Sequence, residues 1–283
     1  MSGKGKNAPR GASLWVPRLF VGVGALFVAI MLILPLAVVL TEAFSSGLQV
    51  FLRAVSDIYA RKALFLTLEA TAASVLLNTV FGLAAAWAVT RYSFAGKGVL
   101  TTLIDIPFAV SPVIAGLIFI LTFGRLSLLH PVLEEHGIRI VFATPGIILA
   151  TVFVTIPFVA REVIPVLEAR GTDEEQAAVL MGAGFFSIFR RVTFPHIRWA
   201  LLYSVILCAA RAMGEFGAVS VVSGHLRGKT NTLPLHVEIL YSEYQFTAAF
   251  AVSSLLVAGA VIILTARNIA EFAARKEDSL NVR

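Results

Sequence analysis

The chain has 283 residues, of which 58% are hydrophobic and 14% charged, with a formal net charge of +6 and a mean hydropathy of +0.87. A water-soluble domain of this length needs far more polar surface, so the composition excludes one and indicates an all-α polytopic membrane protein. The apolar runs are too long and continuous for barrel strands, and membrane topology uses most of the basic excess without any nucleic acid.

In chain order, Lys4, Lys6 and Arg10 precede an apolar run that begins at Leu19 and ends near Leu40. That run is longer than a signal-peptide core and no small-residue cleavage site follows it, so it reads as an uncleaved first transmembrane helix. Six spans are expected, over Leu19–Thr41, Ala63–Thr90, Val99–Phe123, Ile140–Ala160, Trp199–Ser223 and Phe246–Ala266. Each is about the 20 residues a helix needs to cross the hydrocarbon. Pro35, Pro107, Pro112, Pro145, Pro157, Gly214 and Gly217 fall in or beside these spans. Such breaks are tolerated where neighbouring helices or pore water satisfy the freed backbone. The lone cysteine, Cys208, sits in an apolar run and reads as a packing residue.

Basic residues set the orientation. They concentrate before the first span, between spans four and five (Arg161, Arg170, Arg190, Arg191, Arg198) and after the last (Arg267, Arg275, Lys276, Arg283). Both termini are therefore expected in the cytoplasm. The expected organisation is a basic lead over 1–18, a first helix and external loop over 19–62, a transmembrane domain over 63–267 and a cytoplasmic tail over 268–283. The domain contains the longest inner connection, 161–198.

That connection holds the most informative stretch. Thr172 or Asp173 caps a helix whose first turn carries Asp173, Glu174 and Glu175. Gln176, Ala177 and Ala178 continue it, and Gly182 and Gly184 permit a turn. A second helix then places Phe185, Ile188, Phe189 and Val192 on one face until Pro195 is expected to end it. Two such short helices are unstable alone. They must pack on something, either lipid headgroups or a groove on a cytoplasmic partner.

The spacing of Ala177, Ala178, Gly182, Val192, Phe194 and Pro195 resembles the EAA loop of permease subunits of ABC importers. In that motif Glu-Ala-Ala is followed after three residues by Gly and after nine more by Ile-x-Leu-Pro. Gln176 stands where the motif has Glu, with Glu174 and Glu175 just upstream. The stretches DIPFAVSPVIAGL, RRVTFPHIRWALLY and ARAMGEFGAVSVVSG are similar to the W-type membrane subunits of the sulfate/thiosulfate branch, and molybdate permeases share several of these motifs. The resemblance implies the type I (MetI-like) importer fold. It also implies a T-type permease partner, two copies of an ATPase subunit and a periplasmic sulfate-binding protein. ATP and Mg would belong to the ATPase, with no cofactor on this chain. The EAA-like loop would seat in a cleft of the ATPase.

Charges inside spans are costly and are usually functional or paired. Asp105, Arg211 and Glu215 qualify. Arg211 and Glu215 stand one turn apart and can pair. One cation against two acids leaves a net negative charge, which suits an anion path poorly. A pair that holds helices in register, joined by Asp105, is thus favoured over direct anion binding. Gly214 and Gly217 flank Glu215 and suit close packing or a kink. Ser111, Ser220 and Ser223 offer hydroxyls. The segment GHLRGKT from Gly224 to Thr230 is one residue short of P-loop spacing and follows no buried strand, so it reads as an external loop. No catalytic or metal-ligating constellation stands out.

Overall fold

The computed structural model describes residues 15–281, with side-chain surroundings for residues 18–272. Most of the basic lead over 1–18, including Lys4, Lys6 and Arg10, therefore lies outside the described residues.

The first span is α1 (Trp15–Val28), a π-helical turn (Ala29–Ile33) and α2 (Leu34–Phe44) in one continuous rod. The wide turn has a local cause. Pro35 has no N–H and its ring would collide with the carbonyl four residues back. The Leu34 N–H instead reaches Ala29 O, five residues back. Nearly every apolar side chain of this rod is exposed in the isolated chain, as suits a lipid-facing helix. The rod packs on the last described helix (Phe246–Asn281), and Ser46 shares a 3.2 Å hydrogen bond with Thr247.

A short amphipathic α3 (Leu48–Ser56) leads to α4 (Ile58–Arg91), whose N-terminus is capped by Asp57 accepting from the Tyr59 and Ala60 amides. Buried positions on α4 recur every three or four residues: Ala60, Ala63, Thr67, Ala70, Ser74, Asn78, Gly82 and Ala86. Small residues let a second helix approach closely. That helix is α8 (Thr144–Arg170), and a Cβ on Gly82 would stand 2.7 Å from the Val159 Cβ. Asn78 donates across this seam to Thr155 Oγ1 at 2.7 Å and Val152 O at 3.2 Å.

The third span departs from the expected single helix. It comprises α5 (Lys97–Ala109) and α6 (Pro112–Phe123), bent by 112°. Pro112 forces its predecessor out of helical conformation, and Ser111 takes φ −57°, ψ 134°. A short α7 (His130–Glu135) precedes α8, which starts at Thr144 rather than near Ile140 and runs ten residues past Ala160.

After α9 (Asp173–Leu180) come α10 (Phe185–Ile188), a π-helical turn (Phe189–Thr193) and α11 (Phe194–Met213). These last three form one rod, so Pro195 does not end a helix as expected. The Phe194 N–H reaches Phe189 O, and the proline follows inside the first turn of α11. The chain thus uses the same device at Pro35 and Pro195: a widened turn carries a helix through a proline. The fifth span is broken instead at its other end, where α11 stops at Met213 and α12 (Gly217–Val222) resumes after Gly214–Phe216. Finally α13 (Leu233–Ser242) packs on α14 (Phe246–Asn281). The expected tail continues the α14 helix as far as Asn281.

α4 and α8 run parallel: Arg91 meets Leu167 at one end, and Ile58 lies beside Thr144 at the other. The first end carries α9 and α10 and is called the knob end below. Its core is Ala86, Val159, Val163, Leu167 and Ile197; the opposite end is sealed by Ala60, Ala63, Leu233, Leu240, Ala249 and Val252.

Candidate functional site: the α9–α10 knob and the broken helices

The knob is rooted by a carboxylate. Glu175 lies in the first turn of α9, where negative charge complements the helix dipole. Its Oε2 is 2.7 Å from Arg91 Nε, and its Oε1 accepts from Arg91 Nη2 at 3.0 Å and Thr193 Oγ1 at 2.8 Å. Arg91 Nη1 also donates to Leu167 O at 3.2 Å. Four elements (α4, α8, α9 and the π turn) therefore meet on one ion pair, whose side chains are only 8% and 15% exposed. Such a pair is costly to break because the surviving charge stays half desolvated. Glu174 adds a more exposed contact to His196 Nε2 at 2.7 Å.

Gln176 makes a lesser contact. Its Nε2 donates to Thr172 Oγ1 at 2.8 Å on the exposed side of the helix. Thr172 does occupy the N-cap position, but its hydroxyl accepts from Gln176 and from no backbone amide. The ionic anchor thus sits one residue before the motif position.

Ala178 is buried and Ala177 exposed. The α9 C-terminus closes by a Schellman pattern: the Ala183 amide reaches Ala178 O at 3.0 Å, and Gly182 takes φ +81°. A side chain at Gly182 meets no neighbour, so only its backbone conformation demands glycine. In the following rod Ile188 is buried, and Phe185 and Phe189 stand edge-on to Trp87 at 5.7 and 5.6 Å. Phe189 and one edge of Phe185 therefore pack on Trp87 at the end of α4, while Phe185 stays largely exposed. What remains uncovered is an apolar tip: Leu180 and Met181 are 89% and 82% exposed, with Val179, Phe185 and Phe186 beside them.

Sequence reasoning missed Arg91, Trp87 and Thr193. Arg91 was legible as the basic end of a span, but its pairing with Glu175 joins residues 84 positions apart.

The second group lies at the helix breaks. Arg211 Nη1 pairs with Glu215 Oε2, as the one-turn spacing predicts. Glu215 is buried, and its Oε1 accepts the Ala218 amide at 2.9 Å, so it also caps α12. Arg211 keeps a third of its side chain exposed. Gly217 is closely packed, since a Cβ there would meet Pro112 Cβ at 2.9 Å. The two chain breaks, at Ser111 and at Gly214–Phe216, thus adjoin. A Cβ on Gly214 would make only an ordinary contact, 3.9 Å from Ala210 O, and Gly214 marks a helix end, whereas Ser111 is exposed. Ser220 and Ser223 hydroxyls bond to local backbone.

Asp105 does not join this pair, contrary to the expected network. It bonds Arg161 Nε at 2.8 Å, linking α5 to α8 on an exposed surface, where the Arg161 guanidinium also covers Phe108. Glu69 is a charge within the expected second span that the sequence reading passed over; it is exposed near the end opposite the knob. The Gly224–Thr230 segment folds as a turn with positive φ at Gly224, His225 and Gly228, tied by Thr230 Oγ1 donating to Ser223 O at 2.6 Å.

A polytopic bundle with two interrupted spans and a rigidly rooted, apolar-tipped knob defines a helical transport subunit. Residues 78–276 match the family model described as "Binding-protein-dependent transport system inner membrane component", and the chain belongs to that family. It is 50% identical over 250 residues to the sulfate transport system permease protein CysW of Synechococcus elongatus, covering 88% of this chain and 87% of that one. CysW of Escherichia coli K12 is 45% identical over 258 residues, covering 91% and 89%. The CysT permease of Salmonella typhimurium is 34% identical over 250 residues, covering 88% and 90%. In fold the chain is similar to a crystal structure of a bacterial ABC transporter involved in the import of the acidic polysaccharide alginate. The TM-score is 0.75 at 15% identity, over 93% of this chain and 96% of that one. The all-helical type I permease architecture expected from sequence is therefore the one present. The chain is a permease subunit, and its family is one of transport proteins, not enzymes.

Proposed function

We propose that the chain is a membrane subunit of an ATP-driven importer of sulfate and thiosulfate. It pairs with a T-type permease around the anion path. Two copies of an ATPase subunit bind below, and a periplasmic binding protein delivers the anion from outside. ATP and Mg reside in the ATPase. Both termini and the knob face the cytoplasm, and residues 63–267 form the transport unit.

The observation that carries this reading is the knob itself. Its tip is apolar and exposed, which suits burial in a partner's cleft. Its root is fixed to α4 and α8 through Glu175, Arg91 and Trp87. A tip that binds and a root that does not yield will pass a partner's motion to the spans. The names of the curated relatives support the anion. Alternating access follows: ATP binding draws the ATPase subunits together, the knob moves with them, and the path opens outward. Hydrolysis resets it. The Arg211–Glu215 pair holds the break in the fifth span in shape, and substrate selectivity resides mainly in the binding protein.

Uptake of labelled sulfate in cells with and without this chain tests the reading. Loss of uptake with the chain, and competition by thiosulfate but not molybdate in its presence, is expected. Unchanged sulfate uptake in cells lacking a second sulfate importer would move the substrate to another oxyanion, molybdate or tungstate first. Uptake driven by an ion gradient without any ATPase would instead make the chain a secondary anion transporter.

A further inference from the structure

At the end opposite the knob, a cavity of about 400 Å³ opens between the start of α4, the start of α8 and the Gly224–Thr230 turn. Arg61 and Lys62 line it from α4 and Lys229 from the turn, with Thr144 and Gly228 on the walls. These three cations form no ion pair among the described residues. Glu69 supplies the cavity's one carboxylate, so positive charge dominates. The turn is held against α4: a Cβ on Gly228 would lie 3.3 Å from Tyr59 and 3.4 Å from the Lys62 stem. Left-handed Gly228 and the Thr230–Ser223 hydrogen bond thus deliver Lys229 to the same cavity as Arg61 and Lys62. Thr144 opens the 27-residue α8, whose N-terminal dipole adds positive potential.

We propose that this cavity is a landing site for a small divalent oxyanion, which it holds weakly before the anion enters the path. The inference rests on the transport reading and on the orientation given above. Three unpaired, solvent-exposed cations lining one open concavity raise the local anion concentration. A cavity this size admits a tetrahedral dianion with part of its hydration shell, which keeps binding weak enough for onward passage. Glu69 offsets one of the three cations, which also keeps binding weak. Cations that meet in a concavity fit a small anion better than the broad face of an acidic protein.

The test uses the complete complex in lipid nanodiscs. Lys62 and Lys229 are acylated in sulfate or in chloride at equal ionic strength, and labelling is read by mass spectrometry. Sulfate is expected to slow both lysines about threefold, with Lys97 unaffected, and Arg61→Gln is expected to reduce that protection. A Lys62→Gln/Lys229→Gln double variant should raise the KM for uptake about twofold to fivefold at unchanged kcat, the scale of exposed charge contacts. Its melting temperature should match wild type, which separates lost anion binding from lost folding. Equal labelling in the two salts, in a preparation that does transport sulfate, would overturn the landing site and leave the transport reading intact. Protection by the anion-free binding protein that is indifferent to sulfate would also overturn it, making this a protein-docking surface. Protection by molybdate in a preparation that moves molybdate but not sulfate would uphold the site and displace the substrate reading.

Discussion

Replacing Glu175 by Ala removes the carboxylate that ties α9 to α4 and the π turn together. Arg91 would retain the Leu167 carbonyl and the face of Trp87, 5.8 Å away, and the Thr193 hydroxyl would lose its acceptor. Breaking a fully buried ion pair by deleting one partner costs about 3–5 kcal/mol, and exposed pairs are worth below about 1 kcal/mol. With side chains 8% and 15% exposed, this pair falls nearer the buried limit. A cost of about 2–3 kcal/mol follows, which weakens the knob's seating roughly 30- to 150-fold. The assay is uptake and ATP hydrolysis measured together on the reconstituted complex, with thermal melting as a second readout. Glu175→Ala is expected to lower anion moved per ATP hydrolysed and to lower the melting temperature. Gln176→Ala gives up one exposed hydrogen bond worth about 0.5 kcal/mol and should leave both near wild type. If Gln176→Ala matches or exceeds Glu175→Ala, the ionic role belongs to the motif position and this account of the anchor is wrong.

Arg211→Ala should destabilise the complex by about 2 kcal/mol, and adding Glu215→Gln should recover much of that, because the buried carboxylate would no longer be left unpaired; equal melting of single and double variants would argue against a structural pair. Gly146→Ala places a methyl 2.3 Å from Ile140 O and 2.7 Å from Val222 Cγ1, and should cost about 1–3 kcal/mol, read as reduced accumulation in membranes. Asp105→Asn, in an exposed pair, should shift stability by less than about 1 kcal/mol in a melting experiment. Burial, and then the nearby Arg227 charge, lower the His236 pKa from its ordinary 6.5. In the unfolded chain this imidazole takes up a proton as pH falls through that value, while in the folded chain it does so only at lower pH. Stability should therefore decline as pH drops below 6.5, and His236→Gln should flatten that decline in a melting series.

What was legible in the sequence follows what is local. Apolar run length gave six crossings, and the acidic first turn and Gly182 gave α9 and its left-handed close. The Arg211–Glu215 pair lies one helical turn apart and was readable for that reason. Proline misled in both directions. Pro195 reads as a terminator, yet a single wide turn carries the helix through it, whereas Pro112 does break its span because Ser111 is held extended. The anchor at Glu175 was hidden because its partner Arg91 comes from a distant helix, brought near by the small-residue seam between α4 and α8. Asp105 was assigned to the wrong partner for the same reason: Arg161 reaches it only once α5 lies against α8.

The claim that the knob transmits a partner's motion is tested most directly at Gly182. A Cβ there meets no neighbour in this chain, so an aspartate adds about 1–2 kcal/mol of left-handed backbone strain, but it places a charge beside the apolar tip formed by Leu180 and Met181. Uptake and ATP hydrolysis would be measured side by side on reconstituted wild-type and Gly182→Asp complexes, with membrane insertion checked in both. Normal insertion with ATP-coupled uptake abolished is the predicted result. Normal uptake by the variant would contradict the coupling role of the knob.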